Sequence, residues 1–508
     1  MIGCLIGAIL LGYPVAFTIA GIATLFAFLG WIFGAFDLGL LGALQQRAFG
    51  LVTNDVLIAI PLFVFMGVVL EKSRSAEDLL ETMGRLFGRL RGGLGVSVVL
   101  VGALLAASTG IVGATVVAMG LIALPTMLRN RYDPPLACGV VCTAGTLGQI
   151  IPPSTLLIIL SDVMSNAYQQ AQFEQGRFTV ETISVGQMFA AALAPGLMLV
   201  FVYLAYLLIR AWLRPEDAPA MAEQADPPSN RQVVTALLPP VLLIGAVLGA
   251  ILGGIATPTE AASVGAIGAL LLAGWRLGAD GTLIRAGALC LVLLALVAGL
   301  FPVRLQRSDI GPADWLIASV CLVLLLVGME AIGAALRRTA KTSLLKAVAL
   351  STMTVTSMIF ATILTASFFA LVFIGLGGEQ RIESLLQMMP GGAGGALLFA
   401  MALIFVLGFF LDFVEITVIL LPLIVPSLIL MGHDPTWLAM LIAINLQTSF
   451  LTPPFGFSLF YLRGAAPPEV TTAQIYRGVA PFILLQLVGM ALLWSWPELA
   501  TRLPAVIF

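Results

Sequence analysis

The sequence is poor in charge and has no motif for nucleotide hydrolysis. Only 10% of its 508 residues are charged, whereas 60% are hydrophobic and the mean hydropathy is +1.08. A soluble domain usually carries about 25% charged residues. The formal net charge of −2 shows no basic excess for nucleic acid. None of the three lysines stands in a P-loop. Uphill transport would therefore need an ion gradient or another chain.

Few residues are suited to catalysis or to transition-metal binding. The single histidine, His433, stands in a loop beside Asp434. No nucleophile, base and metal-ligand set is clustered, which argues against an enzyme. The five cysteines lie in apolar segments without metal-ligand spacing, and we interpret them as small core residues: Cys4, Cys138, Cys142, Cys290 and Cys321.

Long apolar runs dominate what is present. Many of them reach the roughly 20 residues that a helix needs to span the hydrocarbon core of a bilayer. The sequence therefore predicts an all-α polytopic membrane protein. The N-terminal run, interrupted at Gly12-Tyr13-Pro14, predicts either two short helices or one kinked helix.

The stretch from Gly93 to Ser154 organises the chain. It contains two apolar segments joined by a polar tip, ASTGIVGAT (107–115), and then an apolar segment interrupted by GTLGQIIPPS (145–154). Pro152-Pro153 cannot continue a regular helix, because proline lacks an N–H group and clashes with the preceding turn. Irregular backbone at membrane depth survives only where it is buried in protein or lines a cavity. A paired tip beside a broken helix is typical of a transporter binding site.

The same order of features returns later in the chain. A second tip, GFFLDFVEIT (408–417), precedes a second break, QTSFLTPPFG (447–456). The two Pro-Pro pairs are 301 positions apart (453 − 152), and this offset also aligns two polar arms, 71–93 and 377–392. The arms and the tip–break pairs predict an internal repeat with two re-entrant hairpins and two broken helices.

Charge predicts that the two halves are inverted. The first arm carries five Lys/Arg residues and the second carries one, and only the loop after the first tip contains Arg129 and Arg131. Matched loops that differ in this way are expected on opposite sides of the membrane. The same count of Lys and Arg residues predicts that the linker and the basic cluster at 337–346 are cytoplasmic. Arg304 and Arg307 are the main exception, because the count places them on the opposite side.

Four segments together resemble a known family: STGIVGATVVAMGLIALP, AGTLGQIIPPS, GIATPTEAASVGA and GFFLDFVEITVILLPLIVP. They resemble the large membrane subunit of tripartite ATP-independent periplasmic (TRAP) transporters, in the right order over nearly the whole chain. The resemblance implies sodium-driven uptake of a small carboxylate, such as a C4-dicarboxylate, a 2-oxo acid or a related organic acid. It also implies a periplasmic substrate-binding protein, a separate small membrane subunit and the bacterial inner membrane. Sodium would be the coupling ion, with no other cofactor.

The resemblance further implies an elevator mechanism, in which a transport domain slides against a scaffold. The expected division is N-terminal scaffold helices 1–70, first amphipathic arm 71–93, first half of the transport domain 94–165, scaffold helices 166–376 with a linker at 210–231, second arm 377–392, second half of the transport domain 393–465 and C-terminal helix 466–508. A polar loop is expected over 162–186. Thr257-Pro258 with Glu260 fits the start of a helix.

Sodium is a hard cation, and unwound carbonyls and hydroxyls can ligate it without a full charge. We predict one site at the first tip and first break, formed by Ser108, Thr109, Gly110, Gly145, Thr146 and Gly148. A second site is predicted at the second tip and second break, formed by Gly408, Asp412, Thr448, Ser449 and Thr452. The alternative is that the glycines only permit close helix packing and that the hydroxyls bond their own helices.

The substrate is expected between the tips, where free N–H groups of half-helices favour a carboxylate. The candidates are Gly113, Ala114, Thr115, Pro153 and Ser154, although Thr115 could equally cap the returning helix. Neither tip nor break contains Lys or Arg, so charge pairing is not expected there. For Asp412 and Glu415 we consider sodium ligation, proton coupling and pairing with a scaffold arginine.

Two other functions compete with this interpretation. One is a stand-alone ion-coupled carboxylate or anion transporter of the related elevator fold, which needs no binding protein. The other is a membrane enzyme or a structural assembly subunit.

Overall fold

The protein is described here by a computed structural model that covers residues 1–73, 75–110, 112–221, 228–278, 281–301 and 311–508, with the backbone alone at 76 and 106–109. The described residues form helices joined by turns and loops, and they include no strand. Nine of the described helices are long and apolar enough to span a membrane. The all-α polytopic fold is thereby confirmed. Arg74, Arg304 and Arg307 lie outside the described residues, as do the side chains of Ser108 and Thr109.

The N-terminal region forms two separate helices rather than one kinked helix. A left-handed Gly12 (φ +83°) separates them. Asn54 then caps a longer helix by accepting a hydrogen bond from the Val56 N–H at 2.9 Å. The elements are α1 (Ile2–Leu10), α2 (Val15–Ile32), a 3₁₀-helix (Leu38–Gly42), α3 (Ala43–Val52) and α4 (Asp55–Lys72).

The organising stretch folds as a helical arm, a hairpin and a broken helix. The elements are α5 (Ser75–Phe87), α6 (Gly93–Thr109), α7 (Val112–Arg129), α8 (Pro134–Thr146), a 3₁₀ turn (Leu147–Gln149) and α9 (Thr155–Glu174). The first arm buries Leu79, Leu80 and Met83, as its helical spacing indicates. The expected polar loop at 162–186 is wrong over its first half, because α9 continues to Glu174 and satisfies the backbone groups of its polar residues internally.

Long helices fill the middle of the chain. They are α10 (Val185–Leu213), α11 (Asn230–Leu252), α12 (Pro258–Arg276), α13 (Thr282–Leu300), α14 (Pro312–Lys341) and α15 (Leu344–Gly375). Thr257 caps α12 as expected, and the Glu260 carboxylate accepts a hydrogen bond from the Thr257 N–H at 2.8 Å. The linker is shorter than expected at both ends, because α10 reaches Leu213 and α11 begins at Asn230.

The second half repeats the order of arm, hairpin and broken helix. Its elements are α16 (Gly378–Gln387), α17 (Gly392–Leu407), α18 (Phe413–Glu415), a π-turn (Ile416–Leu420), α19 (Leu421–Leu430), α20 (Pro435–Leu451), α21 (Phe457–Ala465), α22 (Thr472–Ser495) and α23 (Glu498–Ile507). Residues 466–508 therefore hold two helices instead of the single helix expected. The inverted orientation of the halves stays a prediction.

The broken helices form the core of the bundle. Every residue from Leu136 to Thr146 and from Trp437 to Leu451 is buried. Helices α6, α7 and α22 pack on α8, whereas α17 and α22 pack on α20. Helix α10, expected among the scaffold helices, packs on α6, α9, α20, α22 and α23. By contact it therefore groups with the hairpins and broken helices.

Helices α2, α4, α12, α13, α14 and α15 form an outer group. Helix α15 packs on α2 and α4, helix α12 on α4, and the α13–α14 pair on α12. Large apolar side chains on α13 and α14 are exposed, among them Leu289, Leu296 and Leu322. Because a membrane helix presents apolar side chains to lipid, these faces fit a bilayer environment.

Candidate functional site

The two helix breaks meet in the centre of the protein. The Gln447 side-chain Nε2 donates a hydrogen bond to the Thr146 hydroxyl at 3.2 Å, and both side chains have no exposed area. The two residues are 301 positions apart (447 − 146), which is the offset between the Pro-Pro pairs. The Cys142 thiol also lies 3.8 Å from the Ser458 carbonyl oxygen. The structure thus joins two stretches that sequence reasoning expected to meet.

The first hairpin tip contacts the far side of the first break. The Gly110 carbonyl accepts a hydrogen bond from the Thr155 hydroxyl at 2.8 Å, and Thr155 begins α9. The Ser154 hydroxyl donates to the Gln149 carbonyl at 2.8 Å and closes the break. These contacts hold the first tip against the start of α9, and the ligation of sodium by Gly110 stays a prediction.

The near side of the first break is organised mainly by packing. Gly145 lies against α7 so closely that an added methyl group would overlap Val116. The Thr146 hydroxyl donates to the Thr143 carbonyl at 2.9 Å and accepts from Gln447, while Gly148 lies in the buried 3₁₀ turn. Gly145 therefore fits the packing alternative, and the predicted sodium site at this break stays a prediction.

The second tip and the second break are in direct contact. Gly408 ends α17, and a methyl group there would overlap the Ser449 hydroxyl. The Thr448, Ser449 and Thr452 hydroxyls each donate to a carbonyl of their own helix, at 2.7, 2.8 and 2.8 Å. A hydroxyl that donates its proton keeps lone pairs for another partner. The geometry brings these oxygens together, and their predicted ligation of sodium stays a prediction.

Asp412 and Glu415 form the cap of the helix that follows the second tip. The Asp412 carboxylate accepts from the Phe413 N–H at 2.8 Å, and the Glu415 carboxylate accepts from the Asp412 N–H at 2.9 Å. Among the described residues, no ion pair includes either carboxylate. The arrangement thus gives no support to pairing with a scaffold arginine, and sodium ligation and proton coupling remain as alternatives.

Tyr461 of α21 packs against the predicted substrate region. Its ring covers Gly113 so closely that a Cβ there would lie 2.7 Å from the tyrosine Cζ. Ala114 is half-buried, whereas Thr115, Pro153 and Ser154 are buried. The structure therefore places Gly113 against Tyr461 of α21, and sequence reasoning missed Tyr461 because it lies outside both motifs.

Several polar side chains around the breaks are buried without a partner. In the described part of the chain, both amide atoms of Gln149, the Gln447 Oε1 and the hydroxyls of Thr143 and Thr417 make no hydrogen bond. Burying an unpaired polar group costs about 1–3 kcal/mol on protein mutational data. Unpaired polar groups at the centre of the bundle are therefore candidates for contact with an ion or a substrate. In the sequence, the polar residues within the two breaks were the signal for this cluster.

A cavity of about 230 Å³ lies between the outer helices and the bundle. Arg47 of α3 lines it and donates a hydrogen bond to the Ser367 carbonyl at 3.2 Å. Asp162 lines the opposite side, where its carboxylate accepts from the Asn54 side chain at 2.9 Å. Sequence reasoning excluded arginine only from the tips and breaks and so missed Arg47. The sequence feature that could have identified Arg47 is a single cationic residue within an apolar segment.

Comparison with known proteins identifies relatives over nearly the full length. The chain is 26% identical to the C4-dicarboxylate TRAP transporter large permease protein DctM of Vibrio cholerae, with 99% of this chain and 96% of that protein covered. It is 25% identical to the ectoine TRAP transporter large permease protein TeaC of Halomonas elongata, covering 100% and 99%. Identity to the sialic acid TRAP transporter large permease protein SiaM of Vibrio cholerae is 24%, covering 98% and 96%.

A solved structure supports the fold. The YdaH transporter of Alcanivorax borkumensis matches with a TM-score of 0.59 and 16% identity, over 96% of this chain and 99% of that one. The family described as the DctM component of tripartite ATP-independent periplasmic transporters matches residues 2–300 and 282–499. The sequence resemblance and the membrane location are both confirmed. The chain therefore belongs to the DctM family of TRAP transporter large permeases and is a multi-pass protein of the bacterial inner membrane.

Proposed function

We propose that this permease uses a sodium gradient to import a small carboxylate. The observation that carries the proposal is the contact between two interrupted helices deep in the protein, through Gln447 and Thr146 at 3.2 Å. Helix breaks at membrane depth free backbone carbonyls that can ligate sodium. The proposed ligands are the carbonyls and hydroxyls of the two tip–break pairs defined above.

The proposed substrate class follows from charge. Arg47 lines the cavity between the outer helices and the bundle, and its guanidinium can bind a carboxylate through two parallel hydrogen bonds. Residues from both halves line the same cavity, including Asp162 of α9 and Val418 of the π-turn that follows the second tip. Two of the relatives are named for acids, a C4-dicarboxylate and sialic acid. We propose that the substrate carboxylate passes this arginine on its way to the tips.

The proposed mechanism is an elevator. The hairpins and broken helices pack among themselves, α15 and α12 pack on α4 in the outer group, and α4 also packs on α6 and α9. In the described part of the chain, two side-chain hydrogen bonds join α9 to α4 and to the second arm α16, namely Asn54 with Asp162 and Gln170 with Glu379. In the proposal the inner bundle moves as one body and carries both sodium and substrate.

The proposed partners are a periplasmic binding protein and a small membrane subunit. The three relatives above are named as large permease proteins of TRAP transporters, and the matching family is described as tripartite and periplasmic, which supports two further components. The stand-alone transporter is not favoured, because nothing in the described site or among these relatives points to it.

Reconstitution tests the proposal directly. The permease and its small subunit are placed in proteoliposomes, with the binding protein and a panel of labelled organic acids outside. Uptake should require an inward sodium gradient and the binding protein, and a potassium gradient should not replace sodium. Uptake by the permease alone would favour the stand-alone transporter. Sodium-independent uptake would overturn the proposed coupling.

A further inference from the structure

A cationic cavity of about 320 Å³ lies at one end of the bundle, away from the tips and breaks. It forms where α8 begins, α10 ends and α22 begins. Its charged lining residues are Asp133, Arg210, Arg214, Asp217 and Arg477. Three arginines against two aspartates leave a net charge of +1 (3 − 2) in the cavity.

The two aspartates are already occupied by one arginine. Arg210 approaches Asp217 at 2.7 Å and Asp133 at 3.9 Å, and it also donates to the Tyr206 hydroxyl at 3.0 Å. Arg214 and Arg477 are exposed, and no ion pair among the described residues includes either of them. Two guanidinium groups thus face a cavity whose carboxylates are satisfied, which favours an anionic ligand.

Exposed apolar side chains lie on two of the helices that form this cavity. On α10, Ile209 is 55% exposed and Leu213 is 64% exposed. On α22, Leu484 and Val488 are exposed in turns that follow Arg477, and the two helices pack together. A cationic cavity beside helices that expose apolar side chains matches the two parts of a phospholipid. Trp212 of α10, which is 78% exposed, also suits the level of the headgroups.

We propose that this cavity binds the phosphate of an anionic phospholipid, whose acyl chains lie along α10 and α22. Basic pockets between helices at the cytoplasmic side recognise acidic headgroups, and the Lys/Arg count predicts that side for Arg210. The lipid would also hold the segment after α10, which is pinned to the hairpin loop through the Asp133 N–H and Asp217 carbonyl at 2.9 Å. The ligand thus stabilises the start of the first broken helix.

The test measures lipid binding to purified, delipidated permease. Phosphatidylglycerol or cardiolipin is titrated in detergent, with phosphatidylcholine and inorganic phosphate as separate arms. The anionic lipids should raise the thermal unfolding temperature, and phosphatidylcholine should not. In the variant R214Q/R477Q their affinity should fall about 25-fold, because each interfacial cation is worth about fivefold in binding.

A charge-matched variant separates this site from general surface charge. K341Q/K346Q removes two cations from the ends of α14 and α15 and should leave the lipid response unchanged. An equal loss in both variants would overturn the proposed site. A full response to inorganic phosphate would show a free-anion site and overturn the lipid assignment. If R214Q/R477Q fails to fold, the single variant R477Q and native mass spectrometry of retained phosphatidylglycerol decide the question by the same criteria.

Discussion

Thr146→Val tests the contact between the two breaks. Valine keeps the shape of threonine but removes the oxygen that accepts the Gln447 hydrogen bond. Because the Gln447 Oε1 has no partner either, the whole amide would then be buried and unpaired. An unsatisfied buried group costs about 1–3 kcal/mol. Interhelical hydrogen bonds in membranes average about 0.6 kcal/mol and reach about 1.7. We expect a loss of about 1–2 kcal/mol in the free energy of unfolding.

The same helix supplies a matched control. Thr143 is also fully buried, one turn earlier, but its hydroxyl has no hydrogen-bond partner. Thr143→Val removes an unpaired polar atom without leaving another group unpaired. This variant should be neutral or more stable than the wild type.

A double-mutant cycle with Gln447→Met isolates the pair. Replacing both partners by apolar groups of similar shape should cost less than the sum of the single changes. Unfolding free energies are measured in mixed detergent and SDS, with a coupling of about 0.6–1.7 kcal/mol expected. Equal costs for the two threonine variants, or a coupling below about 0.3 kcal/mol, would refute the reasoning.

Three further predictions follow from the site. Gly145→Ala should cost about 1–3 kcal/mol in stability, because the added methyl group overlaps Val116. Gly245→Ala has open space around it and should be neutral or stabilising by up to about 1 kcal/mol. Thermal unfolding of the two variants compares these effects. Arg47→Gln should raise the substrate concentration for half-maximal uptake and leave the sodium dependence unchanged. Thr452→Ala and Asp412→Ala should each weaken the sodium dependence of uptake at normal expression.

Each of these predictions has a control and a contrary outcome. Equal unfolding temperatures for the two glycine variants would contradict the packing of Gly145. The control for Arg47→Gln is Arg381→Gln on the second arm, which should leave uptake unchanged. If Arg47→Gln shifted only the sodium dependence of uptake, the proposed role of Arg47 in substrate binding would be contradicted. The control for the two site variants is Thr354→Ala, which removes a hydroxyl that bonds to its own helix and should leave the sodium dependence unchanged. An unaltered sodium dependence in both site variants would remove the assignment of the second sodium site.

The sequence predicted most of the helices because a bilayer restricts the alternatives. A spanning segment must satisfy its backbone internally, so apolar runs become helices and prolines mark their interruptions. Pro152-Pro153 and Pro453-Pro454 therefore located both breaks from the sequence alone. The start of α12 was also predictable, because capping by Thr257 depends on only four consecutive residues.

Features that depend on tertiary contacts could not be predicted in this way. The polar residues of α9 suggested a loop, but Asp162 and Gln170 find partners on other elements and the helix continues. The segment after α10 is rich in proline and acidic residues, yet its Ala218 carbonyl accepts a hydrogen bond from Gly92. Hydropathy cannot report such pairings. For the same reason Arg47 and Tyr461 entered the site only through the structure.

The contacts of α9 set an energetic requirement for the proposed movement. If the bundle moves against α4 and the second arm α16, the Asn54–Asp162 hydrogen bond at 2.9 Å and the Gln170–Glu379 hydrogen bond at 2.6 Å must break. Hydrogen bonds to charged groups contribute about 1.5–3 kcal/mol each, and less when water replaces the lost partner. One sodium ion crossing 100 mV releases about 2.3 kcal/mol. The proposed coupling ions therefore release energy comparable to these contacts, so the contacts can hold one state without preventing the transition.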